Sequence, residues 1–167
     1  MPSAAALLRV VFAGLMIATL VPTAEASAQQ GGTRQNAGAR EVINPPGIAP
    51  LVPAYSVAIR DGEWVFVSGM TGVKPGSQDI VDGGTGVQTR QTMTNIKAAI
   101  ETAGASMADV AECTVFLIDM ADYGAMNSAY MEFFPTNPPA RATLAVSALP
   151  RPTARVEIKC SARIRRR

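Results

Sequence analysis

The chain contains no histidine, and this absence excludes more chemistry than any other count. Ser-His-Asp and Cys-His catalysis both need an imidazole to carry the proton, and many zinc sites need one as a ligand. With only two cysteines, Cys113 and Cys160, a four-thiolate metal site is excluded as well. Charge of one sign is also scarce, because 15 Lys and Arg stand against 13 Asp and Glu for a net +2. That is too little for a nucleic-acid binder, and the basic residues do not interleave with aromatics, so no nucleic acid is expected as a partner. The apolar stretch at residues 10–20 falls short of the roughly 20 residues that a transmembrane helix needs.

What is present near the start reads as a targeting segment. Arg9 and the amino terminus give a small positive region, residues 10–20 an apolar stretch, and Ala26-Ser27-Ala28 a small-residue cleavage site before Gln29. The expectation is a cleavable signal peptide over residues 1–28 and a periplasmic or secreted protein with no stable membrane association after cleavage. The remainder is of single-domain size. Residues 29–50, rich in Gly, Ala, Asn, Pro and Gln with no sustained apolar period, read as a flexible leader that becomes ordered near its end. The folded domain is expected over residues 51–167. Its basic ending, Arg163-Ile164-Arg165-Arg166-Arg167, is read as a solvated tail.

Within the domain, apolar periodicity predicts the elements. Strands are expected at 57–59 and 64–67, joined by a hairpin at Arg60-Asp61-Gly62-Glu63, where Asp-Gly accepts a positive φ. Residues 71–86, with Pro75-Gly76 and Gly83-Gly84, read as a loop. Val87, Met93, Ile96 and Ile100 predict a helix over 87–103, stopped by Gly104. The contiguous Val115-Phe116-Leu117-Ile118 predicts a strand over 112–118. Tyr123, Met126, Tyr130 and Phe133 or Phe134 share a stripe of a second helix over 120–134, closed by Pro135. Strands at 141–147 and 154–164 complete a ββαβαββ order. The fold class is α+β, a mixed sheet with both helices packed on one face. Cys113 and Cys160 are read as buried small apolar residues on separate strands; an oxidising compartment lets them pair only if their Cα atoms lie within about 7 Å.

The residue that carries most functional information is Arg141, in Pro139-Ala140-Arg141-Ala142-Thr143-Leu144-Ala145-Val146, followed by Leu149-Pro150 and Val156-Glu157-Ile158. The prolines end what precedes, and the arginine falls near the start of a strand, where its planar fork suits a small carboxylate. The block resembles the signature of the RidA (YjgF/YER/UK) family of small imine and enamine deaminases. The resemblance continues in Tyr55-Ser56, in Val65-Phe66-Val67-Ser68-Gly69, in Thr114-Val115-Phe116-Leu117 with Asp119, and in Asn127-Ser128-Ala129-Tyr130 with Phe133-Phe134. It spans about residues 50–165, and five blocks in order make it specific.

The resemblance implies a chorismate-mutase-like fold, a homotrimer with a cleft at each subunit interface, and hydrolysis of a 2-imino acid or its enamine tautomer to a 2-keto acid and ammonia. It implies neither metal nor organic cofactor, and a small 2-imino or 2-keto acid as the partner. Residue by residue, it makes Arg141 the carboxylate grip and Glu157 the group that orients or deprotonates water. Tyr55, Gly69, Asn127 and Thr143 become substrate-binding positions. This chain departs from the family pattern at Met70, where an amide is common, at Val57, and in a turn between Leu149 and Val156 that is one residue longer. Substrate range is therefore less determined than reaction class. Two rival functions use the same fold, a non-catalytic module binding a small carboxylate and a holdase-like protein.

Overall fold

The computed structural model describes residues 40–165, all within a compact unit at Gln35–Arg167. The predicted signal peptide at 1–28, its cleavage site and most of the leader lie outside the described residues, as do the last two arginines. Among the described residues, no helix is long and apolar enough to cross a membrane.

Six strands form one sheet: β1 (Glu41–Ile43), β2 (Ala58–Asp61), β3 (Trp64–Met70), β4 (Val110–Leu117), β5 (Ala140–Ala145) and β6 (Val156–Arg163). Their spatial order is β1-β2-β3-β6-β4-β5. Every pairing is antiparallel except β4 with β5. A parallel neighbour needs a crossover, and α2 (Tyr123–Met131) supplies it between β4 and β5. The expected α+β class and two helices are present.

Two boundaries differ from the sequence reading. The sheet begins ahead of residue 51, because Glu41–Ile43 pairs with Arg60, Ile59 and Ala58 and buries Ile43 in the core. The predicted flexible leader thus contributes an edge strand, short enough to carry no periodic signal. The second helix is shorter than predicted. Its first turn is a 3-10 turn, Met120–Asp122, started by Asp119, whose carboxylate accepts from the Ala121 amide at 2.8 Å, and Phe133 and Phe134 fall in turns beyond its end. The first helix, α1 (Thr85–Thr102), agrees closely with its prediction.

The core lies between the helices and one sheet face. Val65 and Val67 of β3, Val115 and Leu117 of β4, and Val156 and Ile158 of β6 point there. They meet Met93, Ile96 and Ile100 of α1 and Met126 of α2, all fully buried. Burying each such side chain contributes roughly 1.5–3 kcal/mol. The alternation in β6, where Val156, Ile158, Cys160 and Ala162 are buried, places Glu157, Lys159, Ser161 and Arg163 on the other face. That face has no helix. It exposes Trp64 and Phe66, stacked with ring centroids 6.2 Å apart, and Leu144.

The cysteines answer a question that the sequence left open. Cys113 and Cys160 are buried on separate strands, as expected, but they are joined in a disulfide with a Cα–Cα distance of 4.1 Å. The cause is register, since antiparallel pairing of β4 with β6 sets Cys113 directly opposite Cys160 on the core face.

Candidate functional site

Arg141 enters β5 just after Pro138-Pro139, and its parallel partner on β4 is Cys113, so its side chain points to the helix-covered face. There it meets α2. The guanidinium lies 4.8 Å from the Tyr130 ring centroid and 5.7 Å from that of Tyr123. Nη2 donates to the Tyr123 hydroxyl at 3.2 Å, and Nη1 lies 3.9 Å from the Met126 sulfur. Cation–π attraction holds the cation against the rings without neutralising it, and among the described residues no carboxylate forms an ion pair with it. A hydrogen bond with Asn127, followed by the Arg141 charge, holds the Tyr123 phenol below its usual range. The Tyr130 phenol is pushed up to about 12 by burial, against the opposing charge of Arg141. Thr143, two residues along β5, shares the face of Arg141, and its hydroxyl is buried. Arg141, Asn127 and Thr143 therefore belong to one neighbourhood, organised by two tyrosines of α2.

Glu157 occupies the opposite face. It sits between Phe116 of β4 and Gly69 of β3. The β3–β6 register shifts between Val67 and Met70, and in that irregular stretch Gly69 passes so close to Glu157 that a Cβ there would stand 2.8 Å from its carboxyl carbon. Burial pushes the Glu157 carboxyl above its usual range, because desolvation penalises the ionised form. Among the described residues it forms no ion pair with Arg141 or Arg155. Arg141 is on the other face, and Arg155 donates to Asp122 at 2.7 Å and to the Thr85 hydroxyl at 3.0 Å.

Beside Glu157 lies a hollow of about 390 Å³, lined among others by Tyr55, Ser68, Gly69, Arg151 and Glu157. Tyr55 and Ser68 fix its wall. The Tyr55 hydroxyl accepts from the Leu51 amide at 2.8 Å, and the Ser68 hydroxyl donates to the Ser56 carbonyl at 2.7 Å. A smaller recess of about 40 Å³ adjoins it, sharing Tyr55, Gly69 and Arg151 and lined further by Met70 and Asn95. Buried Met70 thus borders this recess, on the side where the family pattern has an amide. Among the described residues, no cluster of three His, Cys, Asp or Glu exists that could hold a metal ion.

Within one chain the six expected residues form two groups. Tyr55, Gly69 and Glu157 gather on the open face, and Arg141, Asn127 and Thr143 on the helix-covered face at the β5 edge. Arg141 lines neither hollow beside Tyr55. Three residues of these groups escaped the sequence reading. Tyr123 was legible only as part of a core stripe, and Tyr130 only as part of that stripe and of a resembling block with no site role, although their i, i+7 spacing aims both at one spot on the neighbouring strand. Arg151 sits between Pro150 and Pro152 and read as part of a turn.

A family model described as Endoribonuclease L-PSP matches residues 48–164. A RutC family protein of Pyrococcus horikoshii is 41% identical over 112 residues, covering 67% of this chain and 89% of that protein. The 2-iminobutanoate/2-iminopropanoate deaminase of Rattus norvegicus is 35% identical over 123 residues, 74% of this chain and 89% of the deaminase. Among solved structures, RidA from an Antarctic Psychrobacter superposes with a TM-score of 0.70 at 33% identity, covering 74% of this chain and 99% of that one.

Proposed function

Because the chain belongs to the RidA (YjgF/YER/UK) family, we propose that it hydrolyses reactive 2-imino acids or their enamines to 2-keto acids and ammonia. The observation that carries the reading is the pair of unneutralised groups in prepared surroundings. They are a guanidinium held on aromatic rings at Arg141 and a partly desolvated carboxylate beside a glycine at Glu157. Their separation on opposite faces supports a site completed by a second copy, in a homotrimer. One copy presents Tyr55, Gly69 and Glu157, and its neighbour brings Arg141, Asn127 and Thr143. The exposed Trp64, Phe66 and Leu144 on the helix-free face support such packing, since an apolar face of this kind is normally covered.

The chemistry asks for positioning and one proton carrier. Arg141 grips the carboxylate of a protonated imine by its fork and leaves the C=N carbon open to water. Glu157 accepts a proton from water as its oxygen bonds to that carbon, and a carbinolamine forms. Glu157 then returns the proton to nitrogen. The C–N bond breaks, ammonia leaves, and the hydroxyl proton passes to solvent as the ketone forms. A raised carboxyl pKa suits a group that must both take and give a proton near neutrality.

The predicted signal peptide and the Cys113–Cys160 disulfide both support a periplasmic or secreted location, where disulfides persist. The test of function is ammonia release from 2-iminopropanoate generated in situ. Wild type is expected to exceed the uncatalysed rate and Arg141→Ala to fall by about 100-fold, the cost of losing a charge-assisted pair. Wild-type rates equal to spontaneous hydrolysis overturn the reading.

A further inference from the structure

We infer that Arg151 is a second anion anchor of the cleft, selecting 2-imino acids that carry a side-chain carboxylate. The inference rests on the proposed deaminase reading, in which Arg141 takes the α-carboxylate, and it assigns the substrate class of that same site.

Three observations converge on Arg151. It lines the hollow that also contains Tyr55, Gly69 and Glu157, so its charge borders the place where the reacting carbon would lie. It is held in place by neutral groups. Nη1 donates to the Gln78 carbonyl at 2.5 Å and Nη2 to the Gln78 side-chain oxygen at 2.7 Å, while Pro150 and Pro152 restrict the backbone on either side. Its charge is also uncompensated. Arg90, Arg155, Arg163 and Arg165 each pair with a carboxylate, whereas among the described residues Arg151 forms no ion pair. The two acids of the adjoining loop are engaged elsewhere, Asp82 with Lys74 at 3.2 Å and Asp79 with the Ser77 hydroxyl at 3.0 Å.

A tethered guanidinium with free N–H donors is preorganised for an oxyanion, because ordering its long side chain no longer opposes binding. A monocarboxylic substrate already has its only anion on Arg141 and leaves Arg151 unused. A second carboxylate placed near Glu157 meets like charge, and Arg151 is the residue on that wall that offsets it.

The experiment compares two imines generated in situ by amino-acid oxidases, one from aspartate and one from alanine, with wild type, Arg151→Gln and Arg151→Lys. The readout is the ratio of kcat/KM for the dicarboxylic over the monocarboxylic imine. Arg151→Gln is expected to lower that ratio by about 10- to 100-fold, the range for hydrogen bonds to charged groups. Arg151→Lys, which keeps the charge without the fork, is expected to fall between and serves alone if the glutamine variant does not fold. An unchanged ratio overturns the anchor. If wild type hydrolyses neither imine, the deaminase reading fails. The anchor is then judged by calorimetric affinities for oxaloacetate and pyruvate, where a preference for oxaloacetate that Arg151→Gln abolishes supports it and equal affinities reject it.

Discussion

At the scale of single residues, Gly69 and Glu157 form one device. The backbone at Gly69 comes close enough that any Cβ collides with the Glu157 carboxyl, within 2.8 Å of its carbon and 3.2 Å of its Cγ. Gly69→Ala therefore forces the Glu157 side chain to shift from its present position. Misplacing a reacting group by about 1 Å costs on the order of 100-fold, so the variant is expected to lose about that much kcat/KM while circular dichroism still reports a folded sheet. Glu157 also carries an energetic cost of its own. Burial raises its folded-state pKa above the unfolded value, so its contribution to stability is fully present below the unfolded pKa and is lost as pH rises through the folded pKa. Glu157→Gln removes the ionisable group. Thermal unfolding is expected to show the glutamine variant more stable than wild type at pH 7, with the difference shrinking toward about pH 4, where the wild-type carboxyl is protonated. A wild type that instead gains on the variant as pH rises shows that a cation, Arg151 of the same hollow or the Arg141 of a neighbouring copy, holds the Glu157 carboxylate ionised.

At the scale of elements, the disulfide ties the centre of the sheet together. Cys113 and Cys160 are 47 positions apart and join β4 to β6, the pair that links the hairpin side of the sheet to the β5 edge. Closing a loop of that length in the unfolded chain is worth about 4 kcal/mol by chain entropy. The double variant Cys113→Ala, Cys160→Ala is expected to lose about 2–4 kcal/mol in guanidinium unfolding, and reduced wild type to behave alike. The bond was not legible from sequence because cysteine spacing gives no strand register. The helices and five strands were legible, because Val115 to Ile118, or Met93, Ile96 and Ile100, carry a period of their own. β1 was not, since Glu41-Val42-Ile43 is too short for a period and gains its order from β2. The same limit applied to the site. Resemblance supplied Arg141 and Glu157 as residues, but only the registers Cys113↔Arg141 and Phe116↔Glu157 show that they face opposite ways.

At the scale of the whole molecule, that opposition makes assembly part of the proposed chemistry. A single chain carries Arg141 on its helix-covered side, at the β5 edge, and Glu157 on its helix-free side, so on the proposed reading a lone copy has two half-sites. The stacked Trp64 and Phe66, with Leu144, sit on the side that carries Glu157, and a neighbour packed there can deliver its own Arg141. Such sharing makes a sharp prediction. Arg141→Ala and Glu157→Gln chains are each expected to be inactive alone, yet co-refolding them in equal amounts creates some sites in which the first chain supplies an intact Glu157 and the second an intact Arg141. With random closed assembly, about one site in four is of that kind, so ammonia release is expected to recover to about a quarter of the wild-type rate. If both groups came from one chain, every site in the mixture would lack one of them and no activity would return. Placing a charge on the apolar face, as in Phe66→Glu, should abolish the recovery and shift the protein to single copies in sedimentation, since desolvating an unpaired carboxylate opposes the contact.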